Sequence, residues 1–146
     1  MEPLVGLIVD IEDSNRRRSG ESLLSASRRS VRVLIVEDEP ATALLLEGML
    51  AELGFDEVQI AYDPSAAGDA IRTIPPDLAI LDVNLGQEPV RLLAEKLRAL
   101  DIPVVFSSGQ QVGVLAPEWS DRPLVPKPLD KRMLHAALRN LGFKSN

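Results

Sequence analysis

The chain has 146 residues, 45% of them hydrophobic but only 3% aromatic, with a net charge of -6 and no cysteine. That length fits one domain of ordinary size around an aliphatic core. The composition excludes disulfides, thiolate metal sites and a cysteine nucleophile; negative charge and few aromatics argue against nucleic-acid partners.

The first segment, residues 1–30, reads as a flexible leader. Asp13 to Ser30 is rich in serine and carries Arg16, Arg17, Arg18, Arg28 and Arg29, with no hydrophobic periodicity. Leu4 to Ile11 is apolar, as a short strand or a docking peptide would be. It lacks the basic flank and the cleavage site of a signal peptide. No apolar run approaches the ~18 residues of a membrane span. The expectation is a soluble cytoplasmic protein with no membrane partner.

From Val31 to residue 144 strands and helices alternate. Val31 to Val36 is a continuous run of β-branched residues and leucine, as expected of a strand buried on both faces. Pro40 opens a helix with Leu44, Leu45, Met49, Leu50 and Leu53 inward, and Gly54 ends it. Val58 to Ala61 is a second strand. Asp63 caps a second helix that buries Ala67, Ala70, Ile71 and Ile74. Leu78 to Leu81 is a third strand ending at Asp82. Glu88 to Leu100 is a helix with Val90, Leu93, Leu97 and Leu100 inward, and Ile102 to Phe106 is a fourth strand.

Gln110 to Arg122, with Gly113, Pro117 and Trp119, has little periodicity and reads as an irregular loop with at most one helical turn. Leu124-Val125 is a short fifth strand. Asp130 caps a last helix with Met133, Leu134, Ala137, Leu138 and Leu141 inward. This alternation predicts an α/β fold: a flavodoxin-like, doubly wound, five-stranded parallel sheet in the order 2-1-3-4-5, with the fourth helix short or irregular. Pro123 and Pro126 fit a fifth strand on the edge, where proline is tolerated.

In such sheets chemistry gathers at the carboxyl ends of the strands. Glu37 and Asp38 follow the first strand, and Asp82 ends the third with Asn84 just beyond. Ser107 and Ser108 end the fourth, before Gly109, and Lys127 follows the fifth before Pro128. Each alone fits a cap, a turn or a surface lysine. Their arrival together, one set per strand end, points to a site.

The segments VRVLIVEDEP, LAILDVNL, PVVFSSG and PLVPKPLD closely resemble the response-regulator receiver domain, over roughly Val31 to Gly142. FSSGQ and the segment after it also resemble a subgroup of alphaproteobacterial stand-alone receivers, whose equivalent segment reads Phe-Ala-Thr-Gly-Tyr. The resemblance implies that Asp82 takes a phosphoryl group from a phosphohistidine, as a carboxylate nucleophile can. It implies Mg²⁺ held by Asp38 and Asp82, by the backbone carbonyl of Asn84, and by Glu37 through water, which suits an ion that prefers oxygen and keeps its waters. Lys127 would neutralise charge on the phosphoryl oxygens, with a cis bond to Pro128 as in the family. Ser108, counted from Pro103, would follow the phosphoryl group, and Gly109 leaves it room. The implied partners are a histidine kinase or histidine phosphotransfer protein and an unknown downstream protein.

Two departures stand out. The family's switch aromatic falls at Leu124, so the aromatic switch is missing or is replaced by movement of the loop from Gln110 to Arg122. Asn84 and Gln110 fall where the family tunes hydrolysis, and neither is an obvious general base, so no unusually fast self-dephosphorylation is expected. His135 reads as a surface residue of the last helix, since no helical bundle is visible to make it a relay histidine.

The expected function is a single-domain response regulator that catalyses its own phosphorylation and slow dephosphorylation. It would act by partner binding or as a phosphate shuttle or sink, and is not otherwise an enzyme. The alternative is a pseudo-receiver scaffold independent of phosphorylation. A flavin binder is disfavoured, because EDEP follows the first strand where a phosphate loop belongs.

Overall fold

The computed structural model describes residues 30–83, 87–109 and 123–143, with backbone only at 87–89. The leader before residue 30, Asn84, and the loop 110–122 with Gln110 and Trp119 lie outside the described residues. The elements are β1 (Arg32–Val36), α1 (Pro40–Glu52), β2 (Glu57–Ala61), α2 (Pro64–Thr73), β3 (Leu78–Asp82), α3 (Gln87–Ala99), β4 (Val104–Ser108), β5 (Leu124–Pro126) and α4 (Lys131–Asn140). The strands form one parallel sheet in the order β2-β1-β3-β4-β5. This is the expected doubly wound topology.

Helices cover both faces, so β3 and β4 are buried at every position. That is why their sequences read as unbroken apolar runs rather than alternating ones. The pleat sorts their side chains into two layers. Leu34, Val36, Ala79, Leu81, Val104 and Phe106 pack with Ala67, Ile71, Leu93 and Leu97 of α2 and α3. Val33, Ile35, Leu78, Ile80, Val105 and Val125 pack with Leu46, Leu50, Leu134 and Leu138 of α1 and α4.

Local chemistry sets the helix ends. The carboxylate of Asp63 accepts from the Ala66 N–H, and that of Asp130 from the N–H groups of Arg132 and Met133, filling otherwise orphaned donors. Gly54 closes α1 at φ 96°, a conformation that glycine adopts without strain.

The helix faces differ in part from expectation. Leu44 and Leu45 are 58% and 51% exposed, and Ala43, Leu46 and Leu50 carry the buried stripe of α1 instead. The helix is apolar nearly all round, so periodicity did not single out a face. Ile74, Leu100 and Met133 are also exposed. Ile74 is already the C-cap of α2 in extended backbone, and Leu100 lies past the last residue of α3. Met133 sits in the first turn of α4, one residue before the buried Leu134.

Candidate functional site

The site forms where β1, β3 and β5 run out at their carboxyl ends. β1 and β3 are neighbours, with Val36 opposite Leu81, so the next residues, Glu37 and Asp82, arrive side by side. By the pleat both belong to the face of Ile35 and Ile80, the α1/α4 side. Each carboxylate residue is 2% exposed.

Lys127 follows β5 and reaches over the end of β4 to meet them. Its Nζ lies 3.0 Å from Glu37 Oε1 and 3.3 Å from Asp82 Oδ2. The backbone fixes this approach: the Lys127 N–H donates to the Ser108 carbonyl at 2.8 Å, and the Glu37 N–H to the Ala61 carbonyl at 3.1 Å. The Lys127-Pro128 bond is cis.

Asp38 is exposed, and ligand oxygens of Glu37, Asp38 and Asp82 lie within 4.8 Å of one another. Two of these carboxylates contact the Lys127 ammonium and the third lies beside them. Glu37 Oε1 is fully buried and makes no well-directed hydrogen bond among the described residues, so its contact with Lys127 is an ion pair rather than a satisfied hydrogen bond. Excess negative charge, an orphaned oxygen and an all-oxygen donor set fit a hard divalent cation such as Mg²⁺, held partly through water.

Ser108 is buried as the last residue of β4, opposite Pro126, and Gly109 beside it is exposed. Leu124 packs half-buried on the α2/α3 layer, the pleat side of Ser108. Five of the expected residues (Glu37, Asp38, Asp82, Ser108 and Lys127) therefore gather at one end of the sheet. Asn84 and Gln110 are outside the described residues. Ser107, expected with Ser108 at the end of the fourth strand, lies inside β4, directly opposite Asp82.

Burial holds the Glu37 carboxyl above its usual 4.5, and the Asp82 charge adds to this against the opposing pull of Lys127 and the Glu39 N–H. For Lys127 burial disfavours the charge, but the contacts with Glu37 and Asp82 outweigh it and hold the ammonium above 10.5. The raised Glu37 value means that ionising this carboxyl costs more in the folded chain than in the unfolded one. Stability from this group is full below pH 4.5 and is lost as pH rises through the folded value. Glu37→Gln, which keeps the shape without the charge, is expected to be more stable than wild type at neutral pH without Mg²⁺. The advantage shrinks as pH falls towards 4.5, and urea melts of both proteins across that range check it.

Residues 33–139 match the response regulator receiver domain model. The chain belongs to the response regulator receiver domain family. This receiver is 30% identical to the DNA-binding response regulator MtrA of Mycolicibacterium smegmatis, over 75% of this chain and 51% of MtrA. It thus spans about half the length of that relative. Among solved structures it is similar to the CheY-like receiver domain from Methylobacillus flagellatus, with a TM-score of 0.67, 28% identity, and coverage of 77% of this chain and 99% of that one. It is also similar to SdrG from Sphingomonas melonis Fr1, with a TM-score of 0.66, 36% identity, and coverage of 77% and 96%. As a receiver it is a signalling module of two-component systems. No described helix of it is long and apolar enough to cross a membrane.

Proposed function

We propose that this receiver accepts a phosphoryl group on Asp82 from a phosphohistidine of a histidine kinase or histidine phosphotransfer protein. It then signals by binding a partner, or passes the group on. One observation carries this reading: a buried strand-end carboxylate, Asp82, lies 3.3 Å from a lysine ammonium and beside two further acids.

Each residue has a role. An Asp82 oxygen attacks phosphorus, and the phosphorus–nitrogen bond to the imidazole breaks with its electron pair leaving on nitrogen. The transition state is loose and spreads negative charge over three oxygens, so positioning and compensating charge do most of the catalysis. Lys127 supplies that charge as a compact ammonium. Ser108 donates its hydroxyl to the transferred group, and Gly109 adds no side chain to its path. Glu37, Asp38, Asp82 and the Asn84 carbonyl would hold Mg²⁺, which lowers the repulsion between these carboxylates and an incoming phosphate. With Leu124 in place of a switch aromatic, the change of state would pass through the loop 110–122. The cytoplasm is the compartment where such kinases present phosphohistidine.

Intact mass after incubation with acetyl phosphate and Mg²⁺ tests the reading. The wild type gains one phosphoryl group and Asp82→Asn gains none. A folded wild type that gains none would mark a scaffold that does not use phosphorylation.

A further inference from the structure

The sheet has two edges, and they are defended differently. β5 is three residues long, follows Pro123 and ends in Pro126, which blunts it as a template. β2 is five residues long and reads Glu-Val-Gln-Ile-Ala, with neither proline nor lysine. Its register to β1 runs through all five residues without a bulge. The outer side of β2 pairs with no described residue, and a regular edge of this kind invites another strand. Its α2 side is open as well. Glu57 and Gln59 are exposed there, on a cavity of about 200 Å³ that Ala70 and Ile74 also line.

Backbone parity fixes what this edge presents. The Ala61 carbonyl faces β1, where it accepts from the Glu37 N–H at 3.1 Å. Successive residues of a strand turn their N–H and C=O to opposite sides, so Glu57, Gln59 and Ala61 face β1 while Val58 and Ile60 face outward. The outward N–H and C=O groups of Val58 and Ile60 have no partner among the described residues. Their side chains lie half-buried at the margin of the α1/α4 layer. In one antiparallel register this strand complements itself. With Gln59 opposite Gln59 of a second copy, Val58 stands opposite Ile60 and Glu57 opposite Ala61. The outward groups of Val58 then exchange hydrogen bonds with those of Ile60, in both directions. β-Branched residues face each other on the α1/α4 side, amide meets amide at the centre, and no carboxylate of the strand stands opposite another.

We infer that β2 is a self-association edge, at which a second copy of this chain adds its own β2 antiparallel and joins the two sheets into one. A strand of an unrelated protein would have to match this edge by chance, whereas a second copy matches it through a two-fold axis at Gln59. Antiparallel pairing sends the carboxyl ends of the two sheets in opposite directions, so both Asp82 sites stay open. A strand of five residues makes a small interface, so the association is weak and shows at high protein concentration.

The test is sedimentation equilibrium on the full chain, from about 5 µM to about 1 mM, for wild type, Gln59→Lys and Gln59→Glu. The wild-type mass is expected to rise from one chain towards two. Each variant sets like charges directly opposite and is expected to associate about fivefold or more weakly. An equimolar mixture of the two sets opposite charges face to face and is expected to regain the wild-type association. Urea midpoints of the three proteins check that the fold is kept. The chain has no cysteine, so Gln59→Cys gives a second reading. It is expected to form a disulfide-linked dimer under mild oxidation, and Glu57→Cys, which stands opposite Ala61 and away from its own copy, is not. A wild type of single-chain mass throughout would overturn the proposal and leave the edge to another protein's strand. Unchanged association in both charge variants, a mixture no stronger than its parts, or equal cross-linking of the two cysteine variants would overturn it too.

Discussion

Lys127→Gln is expected to slow phosphoryl acceptance by about two to three orders of magnitude and to raise the affinity for Mg²⁺. The rate follows from what the ammonium faces. Nζ lies 3.0 and 3.3 Å from two nearly fully buried carboxylates, in surroundings where a fixed charge is far stronger than in water. Removing one preorganised donor from such a site costs about 100- to 1,000-fold in rate. Glutamine keeps some of the reach and loses the charge. Mg²⁺ affinity moves the other way because the ammonium repels an ion in the Glu37, Asp38 and Asp82 cluster. Stopped-flow rates and calorimetry on one preparation check both. A variant that lost rate and Mg²⁺ affinity together would show that Lys127 builds the metal site rather than opposing it.

Phe106→Ala is expected to destabilise the fold by about 3–5 kcal/mol, the usual cost of emptying a packed aromatic position. Phe106 is 2% exposed and sits in β4, paired to Leu81 on one side and Leu124 on the other. With 3% aromatic residues in the chain, few neighbours are large enough to refill the space. Domains of this size are stable by about 5–15 kcal/mol, so the loss is a large fraction of the whole. Because β4 also carries Ser107 and Ser108, the same substitution loosens the site. Urea unfolding by circular dichroism gives the number. A loss below about 1 kcal/mol would mean that the α2/α3 layer collapses around the gap.

The sheet and most of the site were legible in the sequence for one physical reason. Strands buried on both faces are continuous apolar runs, and polar residues that interrupt them mark where the strands end. Glu37, Asp82 and Lys127 each stand at such a break, and the strand order brings the three breaks together. Helix faces were less legible. In α4 the polar residues leave Leu134, Ala137 and Leu138 as the inward stripe. In α1 the run Ala43, Leu44, Leu45, Leu46 gives no such contrast, and only the sheet beneath decides that Ala43 and Leu46 turn inward.

How far β4 runs past the apolar stretch that ends at Phe106 was less legible, for a different reason. A serine pair before glycine has the local chemistry of a turn. Here β3 and β5 flank it, and their ladders extend β4 through Ser108. Pairing partners are a tertiary fact, and no window around residue 107 contains it. The pocket of about 200 Å³ beside Arg32, Glu57, Ala70 and Ile74 was equally invisible, and it lies by the amino-terminal part of β1, at the end of that strand away from Glu37.

The central claim is that Asp82 forms the acyl phosphate, and borohydride trapping tests it most directly. Borohydride reduces an aspartyl phosphate to homoserine and leaves free carboxylates and phosphoserine untouched. After incubation with acetyl phosphate and Mg²⁺, reduction and proteolysis, homoserine is expected at position 82 and at no other aspartate. Homoserine at position 38, or a phosphoryl group that survives reduction on Ser107 or Ser108, would contradict the account.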